Sequence, residues 1–359
     1  MYVSSMARNW WENGLMTSKN SWRDIRTLRG SLPENLRAAI GLDVGRGREF
    51  HACLNQSQQL FEAAATMAYS SRPLALFYGL SQAGRAISAA SSNLGTGQPN
   101  VLWNAVGHGL SMKDFPSSAS QFLAAKVEVK PGKRDLFSRV SLAVNSPIVA
   151  TNVELGSLLA QIYDLAILFP DLLREFIPVI PAPRVSNSWP AYSGRDDVDL
   201  SIVGIDAQLD DDDLLSELHR YPSLRTVRLA EGARPSPTSV RVHLGIQRLV
   251  PSRGAPTSMI LPGASIYRRQ EFVFPDYAQS GKSLQPLAVW WITLYACSMF
   301  ARYAAASWTG QLDITGSYVA SAIEHLLDVA LDAVPEAILE SLTSLNLDSD
   351  PANIPGANS

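Results

Sequence analysis

The sequence predicts a mixed α+β protein that is predominantly helical, its helical core assembled from N- and C-terminal blocks with a small β-rich insertion between them. Three observations predict it. Apolar residues recur at helical spacing over 49–90 and again over 284–334. Between those stretches, short alternating runs rich in β-branched residues are separated by turn residues. Each helical block carries an apolar face that needs a cover, and no third helical stretch is comparably strong, so the two cover each other. The expected layout is a lead-in at 1–44, a first helical block at 45–176, a connector and β-rich insertion at 177–283, a second helical block at 284–343 and a mobile tail at 344–359.

In the lead-in, Trp10, Trp11 and Trp22 stand among Arg and Asn and are expected to pack this segment onto the body. Leu54, Phe61, Ala64, Ala65 and Ala68 mark the first long helix. Pro73 opens the next, where its missing N–H costs little. That helix carries a stripe of Leu76, Leu80, Ala83 and Ile87 beside the small residues Gly79, Ala83, Ala86 and Ala90, which permit close helix approach. AKVEVK at 125–130 alternates and reads as a short strand ahead of Pro131-Gly132. Residues 155–176 read as helix, with Pro170-Asp171 as a break. The proline-rich stretch 177–192 reads as a connector. Strands are expected at 199–206, 226–229, 239–244 and 265–274, with a short helix at 211–220. Residues 284–307 are nearly all apolar, 318–334 show Val319, Ile323, Leu326 and Ala330 on one face, and Pro335 is expected to open a final short helix.

Composition narrows the function classes. Of the 359 residues, 46% are hydrophobic and 18% charged, with a formal net charge of -3, so nothing global attracts nucleic acid or an anionic membrane. Arg supplies 24 of the 30 cations and is the better bidentate donor to phosphate or carboxylate. Cys53 and Cys297 have no metal-ligand spacing and read as core residues in a reducing compartment, so no metal and no cofactor are expected. The apolar run Leu287–Ala301 is shorter than the roughly 20 residues a bilayer crossing needs, and no signal peptide is visible; a cytoplasmic location is expected. P-loop, GxGxxG, GxSxG and HExxH patterns are all absent from the sequence.

The candidate site residues follow from these bounds. His108 lies between Gly107 and Gly109, which allow the backbone to expose it or bring it close to a ligand, and its ordinary pKa suits acid–base work. Arg302 interrupts an apolar helix and needs a partner if buried; a carboxylate from the other block, or Glu324, is the expected one. An anion site of Arg302 and His108 with Arg72 or Arg85 is the functional alternative. Glu324 could flank a buried face, whereas His325 is expected to face solvent. Arg46 and His51 form an R-x4-H spacing that resembles the dyad of HEPN-type ribonucleases, in which Arg would stabilise the phosphorane and His would move the 2′-hydroxyl proton without metal. With 24 Arg in the chain, about one such spacing is expected by chance. Asp210–Asp213 read as a helix cap and solvated face. Arg241, Arg248, Arg268 and Arg269, near Tyr267 and Phe272, mark a weak candidate nucleic-acid face, against the alternative of an edge strand guarded by charge.

Two sets of residues resemble one family. The first is Ser71-Arg72-Pro73-Leu74-Ala75-Leu76-Phe77-Tyr78-Gly79-Leu80 followed by Gly107-His108-Gly109; the second is Ser298-Met299-Phe300-Ala301-Arg302-Tyr303, Trp308 and Ile323-Glu324. Together they resemble the YaaC-like proteins, which show a PLLLYYG-type helix, an HG turn and a late S-x-x-x-R-Y…W helix. The resemblance covers both helical blocks and is loose in the middle third. It implies a soluble bacterial protein and brings no catalytic residues with it. The reading that results is a module that binds a ligand, another protein or a second copy of itself, with no standard catalytic motif. The alternatives are a metal-independent HEPN-like ribonuclease, a component of defence in the cell, and a ligand or enzyme pocket around His108 and Arg302.

Overall fold

A computed structural model describes residues 18–95, 103–105, 107–116, 118–132, 134–185, 197–230, 232–245, 250–251, 259–261 and 263–347. The chain divides into a helical unit, residues 1–176 with 285–359, and a strand-rich unit, residues 177–284. The chain is α+β and predominantly helical, with a helical core drawn from both of its ends.

The lead-in is itself helical. Helices α1 (Ser18–Gly30) and α2 (Glu34–Gly41) bury Trp22, Ile25, Leu36 and Ile40, and the Trp22 ring meets Phe61 at 5.5 Å. Trp10 and Trp11 lie outside the described residues. Helix α3 (Val44–Ala64) starts where Asp43 accepts from the Gly45 N–H. It ends sooner than the apolar spacing suggests: Ala65 and Ala68 lie past its end and are exposed. Helix α4 (Arg72–Ala90) is buried on nearly every side. Its small residues do what their size predicts, since a Cβ on Gly79 would stand 2.7 Å from the Phe61 ring. The carbonyl groups at its C-terminus are met by side chains: Arg46 donates to Ala89, Ser91 and Leu94, and Asn346 to Ala90.

Strands β1 (Leu110–Ser111), β2 (Lys126–Val129) and β3 (Thr151–Glu154) form an antiparallel sheet in that order. Helix α5 (Ala119–Phe122) precedes β2, and α6 (Leu136–Ala143) follows it, capped by Asp135. The stretch expected as one helix from 155 is three pieces: α7 (Leu155–Leu159), α8 (Tyr163–Leu168) and α9 (Pro170–Leu173). Pro170 accounts for the second break. The first falls at Ile162, which is extended and fully buried, its side chain held by the core at the expense of helical geometry.

In the strand-rich unit, β4 (Ile180–Pro181) and β5 (Arg184–Val185) occupy what the prolines marked as connector. Strand β6 (Asp197–Val203) leads to α10 (Asp211–His219), whose N-cap Asp210 accepts from Asp213 N–H. Then come β7 (Arg228–Leu229), β8 (Ser239–Gly245), β9 (Val250–Pro251), β10 (Met259–Ile260), β11 (Ser265–Tyr267) and β12 (Gln270–Val273). One antiparallel sheet runs β5-β6-β8-β7, a second β11-β12-β4, and β9 pairs with β10. Leu200, Ile202, Val240, Val242 and Leu244 face Leu214, Leu218 and Tyr221 in a core of this unit's own. The run at 265–274 is a hairpin and not one strand, because Arg268 and Arg269 turn the chain with φ of 49° and 61°.

The chain returns to the helical unit through α11 (Pro286–Tyr303) and α12 (Ala305–Gln311), and closes with α13 (Ala320–Ser344). Helix α11 lies on α4, where Gly84 receives the Trp291 ring. Pro335 does not start a new helix; α13 runs through it. Ala330, Ala333, Val334 and Ile338 around it are all fully buried, and keeping that apolar face continuous outweighs the one hydrogen bond Pro335 removes. Leu345 and Asn346, expected to belong to a mobile tail, are instead fastened: Leu345 is buried, its carbonyl accepts from Asn35, and Asn346 binds Asn35, Ala90 and Ser92. Among the described residues, no helix is long and apolar enough to cross a membrane.

Candidate functional site

His108 stands where the two helical blocks meet. Gly107 and Gly109 take φ of +86° and +78°, which lets the turn present three successive carbonyls inward. Gly107 O accepts from Leu136 N–H, His108 O from Phe137 N–H, and Gly109 O from Lys130 N–H. The backbone is therefore fixed against the first turn of α6 while the imidazole is left at the surface. Beneath the ring lie Phe77 of α4, at 5.7 Å between centroids, and Tyr295 of α11, at 6.3 Å. Phe77 and Tyr295 pack edge to face at 5.4 Å, and the Tyr295 hydroxyl donates to Leu110 O at 3.0 Å. One aromatic from each block thus floors the site, and one of them also ties down the strand that follows His108.

The two glycines differ in a way that can be measured. A Cβ on Gly109 would stand 1.9 Å from Asp135 Oδ1, the carboxylate that caps α6 and also accepts from Gly132 N–H. A Cβ on Gly107 meets nothing. Gly109→Ala is therefore expected to cost roughly 2–3 kcal/mol, the left-handed strain plus the displaced cap, and Gly107→Ala only about 1 kcal/mol. Urea unfolding of the two variants checks this; equal costs would remove Asp135 from the account.

Among the described residues, the charges that act on His108 are both positive. Burial against the aromatic floor lowers the His108 pKa, and the fields of Arg85 and Arg302 lower it further. Arg302 is exposed, not buried, and has no carboxylate partner among the described residues. It donates to the Tyr78 hydroxyl at 3.1 Å and lies over the Tyr303 ring at 5.0 Å. Arg85 donates to Ala105 O at 3.3 Å. The expected ion pair between blocks exists, but Arg72 makes it, to Asp328, with Tyr69 OH donating to the same carboxylate at 2.9 Å. Arg72 is thereby removed from the His108 site. Glu324 is half-buried and acts on Tyr69, so it belongs to the Arg72 cluster. His325 does not face solvent freely; it is half-buried with its ring 5.9 Å from Phe169.

The remaining candidates do not assemble. Arg46 is 1% exposed, donates to three backbone carbonyls, and has the Trp103 ring 5.7 Å from its guanidinium carbon. His51 stands five residues on, about 140° around the helix, at an open hollow on the other side of α3. Arg46 spends its donors on backbone carbonyls on one side of α3 while His51 opens to the other, so the structure does not bring the R-x4-H pair together. In the strand-rich unit, Arg241 is on β8 whereas Arg268 and Arg269 turn a hairpin of another sheet, and Arg248 lies outside the described residues. Tyr267 and Phe272 are buried against each other at 5.9 Å and offer no stacking platform. Both cysteine thiols are buried, which pushes each up to about 12, so neither is a nucleophile at neutral pH. Among the described residues, no group of three or more His, Cys, Asp or Glu is placed to hold a metal ion.

Sequence reasoning missed Phe77, Tyr78 and Tyr295. The signal for the first two lay in the FYG triplet of α4, where one aromatic had to face the core and its neighbour could not. The family model of YaaC-like proteins matches residues 36–342. The chain belongs to the YaaC-like protein family. The YaaC-like span opens inside α2 and closes inside α13, so it includes both helical blocks, the strand-rich unit and every residue of the His108 site. No curated protein and no solved structure matches the chain.

Proposed function

We propose that this YaaC-like protein is a ligand-binding module whose site is the surface at His108, and that it takes a small anionic molecule carrying a phosphate or carboxylate on a planar ring. The observation that carries the reading is that both charges acting on the imidazole are guanidinium groups, Arg85 and Arg302, and neither is ion-paired among the described residues. Cations held together without a counter-charge oppose each other, and an anion relieves that opposition. Exposed Tyr78 and Tyr303 beside them supply flat apolar surface for a ring.

The sign of the pH dependence follows. Free His108 has a lowered pKa and is neutral at pH 7. An anion between the arginines cancels their field and raises it, so binding takes up a proton. Affinity therefore rises as pH falls through the bound-state pKa, and levels off below the free-state value. Calorimetric titration with inorganic phosphate and with nucleoside mono-, di- and triphosphates tests the reading. A charge-assisted hydrogen bond is worth about 1.5–3 kcal/mol, so Arg302→Ala is expected to weaken binding about 10- to 100-fold. Arg302 is exposed, so the variant keeps its fold. Affinity unchanged by Arg302→Ala, or no binding of any of these probes by the unaltered chain, would falsify the reading.

A further inference from the structure

On another face, α1 and α3 bring together a second set of cations. Arg48, His51, Ala52 and Asn55 recur along α3 at the spacing that places residues on one stripe of a helix. Arg29, in the last turn of α1, faces that stripe. With Gly47 these residues line an open hollow of about 600 Å³.

Three features separate this hollow from an ordinary solvated face. Arg29 Nε is buried and has no hydrogen-bond partner among the described residues. Neither Arg29 nor Arg48 is ion-paired among the described residues. The carboxylate next in sequence, Glu49, accepts from Cys53 Sγ at 3.4 Å instead. Burial and the field of Arg29 hold the His51 pKa below its ordinary value, so the imidazole is neutral and keeps both a donor and an acceptor nitrogen. The hollow thus gathers two guanidinium forks from different helices, an imidazole and an amide, and among the described residues no negative group lines it.

We propose that this hollow binds the phosphoryl group of a small molecule, Arg29 and Arg48 holding its oxygens and His51 and Asn55 completing the hydrogen bonds. Donors converging from two helices suit a tetrahedral group with three free oxygens better than a flat carboxylate with two. The site shares no residue with the one at His108, and it stands or falls independently.

The test reads His51 itself. Histidine ring resonances of the full chain are followed by NMR, with His51→Gln and His108→Gln assigning the two peaks. The chain is titrated with inorganic pyrophosphate, with adenosine 5′-monophosphate and with acetate. Saturable movement of the His51 peak by either phosphate compound, without movement by acetate, is expected. The tighter of the two shows whether the phosphoryl group alone or the molecule behind it is held. Arg48→Ala is expected to weaken the response at His51 at least about tenfold and to leave the response at His108 unchanged. Arg48 is exposed, so its loss does not unfold the chain. A His51 peak that stays still while His108 responds overturns this site and spares the other; equal affinity in Arg48→Ala overturns it as well.

Discussion

Arg46→Ala is expected to remove roughly 3–5 kcal/mol of stability from the helical unit. The Arg46 side chain is 1% exposed, yet it has no carboxylate partner among the described residues; its guanidinium spends its donors on the carbonyls of Ala89, Ser91 and Leu94. These carbonyls lie at and just past the C-terminus of α4, the negative end of the helix dipole, which helps a buried cation to remain charged. Burial still lowers its pKa, the cost of holding charge away from water. Alanine takes the side-chain donor from the Ala89 and Leu94 carbonyls, leaves Ser91 O with only the long bond from Leu94 N–H, and opens a void the size of the lost side chain. Lysine keeps the charge but presents one compact ammonium where a fork is needed, and is expected to lose about half as much. Urea unfolding followed by circular dichroism measures both. An unfolding midpoint for Arg46→Ala equal to that of the unaltered chain would show that the three carbonyls are met some other way.

A second effect of the same size is expected where α4 meets α11. Trp291 is 1% exposed, and its six-membered ring fills the space a side chain at Gly84 would need: a Cβ there would come within 2.3 Å of the ring and 2.8 Å of Val140. Trp291→Ala is expected to cost about 3–5 kcal/mol, from lost apolar burial and from a cavity the rigid helices cannot close. Gly84→Ala overfills the same place and is expected to cost about 1–3 kcal/mol. The two are coupled. In a Trp291→Phe background the outer ring atoms are gone, and Gly84→Ala should cost distinctly less there, with only the Val140 contact left to relieve. Costs that simply add in the double variant would mean that the tryptophan does not set the spacing of these helices.

What the sequence made legible was whatever depends on local pattern. The long helices, the stripe Leu76–Leu80–Ala83–Ile87, the strand at Lys126–Val129 and the cap at Asp210 follow from spacing, propensity and side-chain chemistry within a few residues. Features decided by distant partners were not legible. Ile162 gives up helical geometry to reach a core built elsewhere, Pro335 is carried through by burial on both sides of it, and the pairing of Asp328 with Arg72 and not Arg302 depends on how α13 lies on α4. The same division holds at the candidate site. The glycine-flanked histidine was visible, but its aromatic floor joins Phe77 to Tyr295, more than two hundred positions apart, and no local pattern reports that meeting. Arg46 shows the same division: its spacing to His51, of a kind expected about once by chance, is a property of the string, whereas its contacts are set by the end of another helix.

The fastening of Asn346 has a consequence for biosynthesis. On the ribosome, the segment through Ala90 emerges early, yet the donor for the Ala90 carbonyl is among the last described residues to be made, and Trp291 follows only after the strand-rich unit. Until Asn346 is made, Arg46 can meet the carbonyls of Ala89, Ser91 and Leu94, but the Ala90 carbonyl lacks its side-chain donor; until Trp291 is made, the face of α4 that it covers is open. A polypeptide that stops short of residue 346 lacks the amide that meets the Ala90 carbonyl, and the end of α4 keeps an unmet acceptor.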